Sequence, residues 1–486
     1  MVDLVHIRGF NVVKVNRKFG LIDKLAYMSG DLANDLSFMF VMMYLMVFYT
    51  KVLGVSGAVV GILFLIARVV DAFTDIGMGR IVDVISPKKE GKFRFWIKYV
   101  APFVCLAAFL LFVYVVKDFS MPVKIAYIFV TYILWGSICY TAINIPYGSM
   151  ASVISTDPVD RASLSIYRTV GSQIATLLIA YAVPKVIFVE KIINGKAENV
   201  ISPQKFTMIA AVFAILAFIF YMLCYKFSIE RVKISASEPK NSEKKSIITE
   251  IKKIARGLKI NKSLQVFLIF SIIYLLTTML GNALSAYLYI DYFKSKEVLA
   301  YSGMVGAILT FIISPIAGII VQKIGKKNSG AIGLLISGII YLILYVVKLT
   351  NVWTFFICFV LCTIGISYFN IIVWAFITDI IDDQEVRTGC REDGTVYAVY
   401  SFSRKLGHAL AGGMTGFALS YIGYNSGAIL QTASVERGIY SVFTLVGGLG
   451  CVICGLILFF IYPLGVKQVK ENTRILESRR EEKSAK

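Results

Sequence analysis

The chain is short of charge, cysteine and proline, and each shortage excludes a class of protein. Only 16% of its 486 residues are charged, where a soluble globular domain carries about 25%. Eight cysteines are too sparse for a secreted disulfide scaffold. Ten prolines are too few to account for the odd composition by disorder. There is no zinc-ligand spacing, no nucleotide-binding loop and no nucleophile–base–acid constellation, which argues against an enzyme and against direct use of ATP. What remains is apolar: 57% hydrophobic residues and a mean hydropathy of +0.74. The net charge of +20 sits mostly in short segments between apolar runs. That distribution suits a membrane protein and does not suggest a nucleic-acid partner.

A helix needs about 18 or more apolar residues to cross a bilayer. Twelve such stretches occur, near 27–50, 57–81, 96–116, 123–151, 167–189, 206–225, 264–290, 301–321, 331–348, 352–378, 397–423 and 438–464. They lack period-2 alternation, so the expected fold is an all-α membrane protein of twelve transmembrane helices. An even number of spans puts both termini on one side, and that side holds 33 Lys and Arg against 9 on the other. Positive charge marks the cytoplasmic face, so both termini are expected inside. The opening residues are too polar for a cleaved signal peptide. The expected organisation is a cytoplasmic segment 1–26, a six-helix half 27–225, a polar cytoplasmic linker 226–262, a second six-helix half 263–464 and a cytoplasmic tail 465–486. The pattern Gly-x-x-x-(Asp/Gln) recurs at Gly79–Asp83 and Gly318–Gln322, six spans apart. Two related halves with a site between them make a transporter architecture.

Charge inside a span costs about 2.5–3.5 kcal/mol at the bilayer centre, so intramembrane charges point to function. Asp31 and Asp35 share a face of the first span. Arg68, Asp71 and Asp75 form a stripe on the second. Carboxylate oxygens at this spacing suit a monovalent cation such as Na⁺, and the same groups could carry a proton instead; the bland reading is a structural ion pair of Arg68 with Asp71 or Asp75. Thr141 and Asn144 offer uncharged oxygen ligands in span four, beside the kink at Pro146. Arg168 opens span five, where Gly171, Ser172 and Ala175 permit close helix approach. Span eleven holds Arg404, Lys405 and His408; cations there and carboxylates in the first half could clamp a polar solute. Arg404 reads equally as a snorkelling anchor, and the lone His408 is not a metal site. Cys451-Val-Ile-Cys454 reads as apolar packing. One charge crossing 100 mV is worth about 2.3 kcal/mol, or roughly fifty-fold in accumulation, and an ion gradient is the energy source on offer.

Residues 49–54 (Tyr-Thr-Lys-Val-Leu-Gly), 67–75 (Ala-Arg-Val-Val-Asp-Ala-Phe-Thr-Asp), 91–94 (Gly-Lys-Phe-Arg), 144–148 (Asn-Ile-Pro-Tyr-Gly) and 387–407 carry a family pattern. Over about 20–466 the chain resembles the glycoside–pentoside–hexuronide:cation symporters, a branch of the major facilitator superfamily that includes melibiose permease and glucuronide permease. The resemblance implies symport of a glycoside or hexuronide with Na⁺ or H⁺, by a multi-pass protein of a bacterial cell membrane working as a monomer. It implies a cation site at Asp71, Asp75, Thr141 and Asn144, and no other cofactor. It implies sugar contacts at Asp35 and Arg168, with Asp31, Asn144, Lys405 and Arg404 beside them. Asp83 and Arg94 are the implied gating charges, and Arg68 is read from the second-span stripe as a gating or structural charge. Asn144 stands where melibiose permease has an aspartate, which removes a carboxylate and leaves H⁺ open. Gly148 stands where it has a sugar-stacking tryptophan. The alternative is a carrier of the same architecture for another amphipathic solute, such as a lysolipid.

Overall fold

The computed structural model describes residues 5–7, 10–12, 17–85, 87–155, 157–193, 195–231, 261–389, 393–426, 428 and 430–484. Fourteen α-helices lie among them. The first six spans are α1 (Leu21–Val47), α2 (Gly57–Val84), α3 (Arg94–Leu110), α4 (Met121–Ile133) running on into α5 (Thr141–Ile154), α6 (Pro158–Ile187) and α7 (Pro203–Phe227). The next six helices are α8 (Lys262–Tyr287), α9 (Lys296–Ile324), α10 (Lys326–Val347), α11 (Val352–Thr388), α12 (Asp393–Tyr421) and α13 (Ala433–Leu456), and α14 (Val466–Ser484) closes the chain. Eleven spans are long and apolar enough to cross a membrane; the 29-residue α12 occupies the remaining expected stretch. Of the linker expected over 226–262, residues 232–260 lie outside the described residues.

The helix ends follow from local chemistry. Asn261, Ser295, Asn351 and Thr432 each accept a backbone N–H at the start of α8, α9, α11 and α13, satisfying donors that have no carbonyl within the helix. The bodies are apolar on nearly all sides. On α10, Ile332, Ile336, Ile339 and Ile343 project outward on one face, a stripe suited to lipid and costly in water.

Four spans contain π-helical turns: Phe48–Val52 after α1, Leu134–Tyr140 between α4 and α5, Leu288–Tyr292 after α8 and Ile457–Ile461 after α13. The first and third turns are built alike. Leu53 N–H bonds Phe48 O at 3.1 Å and Val55 N–H bonds Tyr49 O at 3.0 Å. Phe293 N–H bonds Leu288 O at 3.1 Å and Ser295 N–H bonds Tyr289 O at 2.8 Å. The same hydrogen-bond pattern thus recurs 240 residues on, the separation of Lys51 from Asp291. This is a structural sign of duplication.

Among the described residues, helices from the first six spans meet the last six chiefly where α2 packs on α12, α6 on α9, and α1 on α8. The α2–α12 seam is backbone against backbone. A Cβ on Gly61 would lie 2.8 Å from Gly413 O, and one on Gly57 would lie 3.0 Å from Gly416 O. Small residues allow this approach without unfavourable side-chain overlap. Polar contacts across the seams gather where α1 and α8 end and α2 and α9 begin. Thr50 and Tyr287 hydroxyls lie 2.7 Å apart, Lys51 pairs with Asp291, and Ala58 N–H donates to Ser420 Oγ at 3.1 Å. There also a two-stranded hairpin, β1 (Phe188–Ile193) and β2 (Lys196–Ile201), reaches the other side: Glu190 pairs with Lys296 at 3.0 Å, and Asn199 donates to Lys294 O at 2.8 Å.

At the opposite end α14 folds back on α11. Asn472 donates to Asp383 at 3.3 Å, Leu476 is buried, and Arg479 donates to the carbonyls of Glu385 and Val386 at 3.3 Å. The expected tail 465–486 therefore includes a docked helix.

Candidate functional site

Two carboxylate pairs lie one helix apart. On α1, Asp31 and Asp35 face α6. Arg168 Nε donates to Asp31 Oδ1 at 2.8 Å, and Ser172 donates to Asp35 Oδ2. Arg168 and Ser172 are i and i+4, so one face of α6 serves both carboxylates. The approach is close because position 171 has no side chain: a Cβ on Gly171 would lie 2.6 Å from Met28 O. Asp31 is buried while the Arg168 side chain remains 41% exposed. Its guanidinium carbon lies 5.5 Å from the Tyr147 ring centre. Tyr147 is itself held, donating to Tyr27 O at 2.7 Å and stacking on Tyr27 at 4.8 Å. A Cβ on Gly148 would lie 4.0 Å from Arg168 Nη1, so a large side chain there would compete with the guanidinium for space.

On α2, Asp71 and Asp75 face the π turn of span four. Arg68 Nη1 donates to Asp71 Oδ2 at 3.0 Å, and Ser137 Oγ donates to Asp71 Oδ1 at 2.5 Å. Thr141 Oγ1 lies 2.9 Å from Asp75 Oδ1 and 3.2 Å from Gly136 O. The other Arg68 amine reaches the Tyr132 hydroxyl at 3.4 Å and Met42 Sδ at 3.8 Å. Asp71, Ser137 and Thr141 are buried. Two carboxylates, two hydroxyls, a backbone carbonyl and one arginine are thus linked along one face of α2. Oxygen donors of this kind are the type that a hard monovalent cation or a proton takes.

The same π turn joins the pairs. Trp135 Nε1 donates to Ser37 Oγ at 2.8 Å, and Tyr140 stacks on Phe38 at 5.4 Å. Ser137 and Gly136, between them, serve the α2 cluster. Residues that read α1 therefore flank residues that touch Asp71 and Thr141, in a single irregular turn. π turns of this kind concentrate at functional positions.

The bland reading of Arg68 is met in part: it does pair with Asp71. Asn144 is partly buried one turn beyond Thr141. Arg404 is exposed on α12; Lys405, His408 and Asp83 lie on helices, but their side chains are outside the described residues. Arg94 lies apart from both pairs, with Nε and Nη2 bonded to Tyr225 O at 2.9 and 2.7 Å. Glu230 accepts the backbone N–H groups of Lys92, Phe93 and Arg94 at 2.7–2.9 Å. Arg94 thereby fastens the start of α3 to the end of α7. Ser137, Gly136 and Tyr132 were not legible as site residues. The available signal was Ser137 one turn before Thr141.

A profile described as MFS/sugar transport protein matches residues 26–465. An uncharacterized symporter, YnaJ of Bacillus subtilis, is 30% identical over 95% of this chain and 96% of its own. A glucuronide carrier protein homolog of Escherichia coli is 29% identical over 94% and 95%. The isoprimeverose transporter of Lactiplantibacillus pentosus is 31% identical over 83% and 80%. Among solved structures, a D-xylose-proton symporter superposes with a TM-score of 0.61 at 14% identity, covering 91% of this chain and 97% of that one. The fold is thus the all-α major facilitator fold, and the molecule is a multi-pass membrane transporter, not an enzyme.

Proposed function

The chain belongs to the MFS/sugar transport protein family, and on that premise we propose that it carries a glycoside or hexuronide across the membrane in symport with Na⁺ or H⁺. The observation that carries the reading is the buried α2 cluster, in which Asp71 and Asp75 meet Ser137, Thr141 and the Gly136 carbonyl. Arg68 pairs with Asp71 in the same cluster. A bound cation offsets the carboxylate charge held there and lowers the cost of closing the site away from water. Asn144 completes the ligand set in this reading.

Sugar hydroxyls then bond Asp35, Asp31 and Arg168, and this reading adds Asn144, Lys405 and Arg404 to the substrate set. A carboxylate and a guanidinium side by side suit vicinal hydroxyls, which both donate and accept. Cation binding draws on Ser137 and Thr141, and the π turn carries any shift to Trp135 and Tyr140 against α1. The two six-helix halves, joined by the 226–262 linker, rock about the loaded site and expose it alternately to each side. The protein works as a monomer in a bacterial cell membrane, termini in the cytoplasm and Asp83 and Arg94 near the inner gate. The names of the glucuronide, isoprimeverose and symporter relatives support the substrate class and the mode.

The test is uptake of labelled glycosides and glucuronides into proteoliposomes under an imposed Na⁺ or pH gradient. Uphill accumulation with one of the two gradients is expected, and its loss in Asp71→Cys and Asp75→Cys. Full uphill uptake by both variants would overturn the cation site.

A further inference from the structure

The pair of Lys51 and Asp291 has no part in the solute or cation sites, yet it is among the most buried ion pairs described. The two side chains are 12% and 5% exposed. Both residues sit in π turns, at the ends of α1 and α8, and the hydrogen-bond pattern of those turns places them at equivalent positions of the two repeats. In a protein built of two such halves, the halves are related by an axis along the membrane normal. Equivalent residues that touch each other must touch on or beside that axis. Like residues there would repel; this chain places a cation in one copy and an anion in the other.

The surroundings commit both groups. The Tyr424 hydroxyl lies 3.2 Å from the second oxygen of Asp291. Lys51 Nζ also lies 6.0 Å from the Tyr424 ring centre. Thr50 and Tyr287, one residue before Lys51 and four before Asp291, join across the same seam at 2.7 Å. Outside this pin lies the hairpin strap, with Glu190 on Lys296 and Asn199 on Lys294 O. Lys294 also pairs with Glu436 at 2.6 Å, in a left-handed backbone conformation with φ of 55°.

We propose that Lys51 and Asp291 form the pin of the outer gate, an ion pair on the pseudo-symmetry axis that holds the non-cytoplasmic ends of the halves shut and breaks whenever the carrier opens outward. The β1–β2 hairpin is the strap over it. Breaking a buried pair leaves two charges needing water, and outward opening supplies that water. The pin therefore sets the balance between the inward-open and outward-open states without touching solute or cation.

The experiment uses the full-length protein in proteoliposomes. Thr50→Cys places a thiol at the buried seam, read by a membrane-impermeant maleimide added outside, with the protein lacking that cysteine as background. Neutralising both partners, Lys51→Met with Asp291→Asn, leaves no unpaired buried charge and is expected to raise the outside labelling rate by about tenfold. The exchange Lys51→Asp with Asp291→Lys is expected to bring it back to the starting rate. A labelling rate that the neutral pair does not change would overturn the proposal. Independently, Ala180→Cys with Gly303→Cys joins α6 to α9 at the same end, where a Cβ on Gly303 would lie 2.8 Å from that of Ala180, so that the helices need part by only about 1 Å to reach the disulfide range of about 3.5–4.5 Å. Oxidation is expected to stop transport, and reduction to restore it. Full transport by the oxidised, cross-linked protein would show that this end does not open.

Discussion

The two carboxylate pairs use the same parts in different ways. Each is a pair of aspartates four residues apart on a helix, with one arginine and hydroxyls opposite. On α1 the arginine comes from α6, 137 residues away, and its side chain stays partly open to the space between the helices. On α2 the arginine is three residues away on the same helix. The α1 pair is therefore assembled by tertiary packing, with a guanidinium that pairs with Asp31 and is still 41% exposed. The α2 pair comes with its counter-charge built in and its hydroxyls committed. On the proposed reading, the first arrangement serves a solute with many hydroxyls and the second a small ion.

Substitutions that separate the two pairs test this contrast. The largest effect is expected at Asp75→Asn, which removes one of the two carboxylates proposed to hold the ion. Uphill accumulation should fall by about a hundredfold or more while sugar binding persists, as read by uptake and by calorimetry on the same preparation; a carrier that still accumulates breaks the assignment. Next is Arg168→Ala. It leaves Asp31 buried without its partner, and sugar affinity should drop by about 2–3 kcal/mol once the exposure of the arginine is allowed for. Half-saturation by the cation should move little, and an equal loss in both would merge the two sites into one. Ser137→Ala takes one donor from Asp71, and half-saturation by the coupling ion should shift by about tenfold in one direction for Na⁺ and differently for H⁺. An unchanged ion dependence would remove Ser137 from the cluster. Smallest is Ser172→Ala, where a few-fold loss of sugar affinity is expected with the ion dependence intact.

What the sequence made legible follows the same divide. Helical spacing was enough for Arg68, Asp71 and Asp75, because their relation lies within one helix. Thr141 and Asn144 could be singled out as polar residues in an apolar run. The partners Arg168 with Asp31 and Ser172 with Asp35 depend on how α1 meets α6, and nothing local encodes that. Ser137 was hidden by the π turn, whose wider winding changes which residues share a face. The spans were plain from apolar length, whereas α14 is mostly polar and carries only a sparse apolar face at Val466, Val469 and Leu476, with Asn472 and Arg479 adding hydrogen bonds, so no long apolar run announced it. The hairpin did leave a trace: Asn194-Gly195 sits between two runs of strand formers, the pairing of Ile193 with Lys196 fixes its register, and such dipeptides favour tight hairpin turns.

The glycine-lined meeting of α2 and α12 has a mechanical corollary. Interlocked side chains would have to unseat and reseat at each turnover, with a barrier for every rotamer that jams. Two smooth backbones, at Gly57 and Gly61 against Gly413 and Gly416, can roll over one another like a bearing, keeping contact while the tilt between them changes. A methyl group at Gly61 would act as grit in that bearing, slowing the cycle while leaving both binding sites untouched.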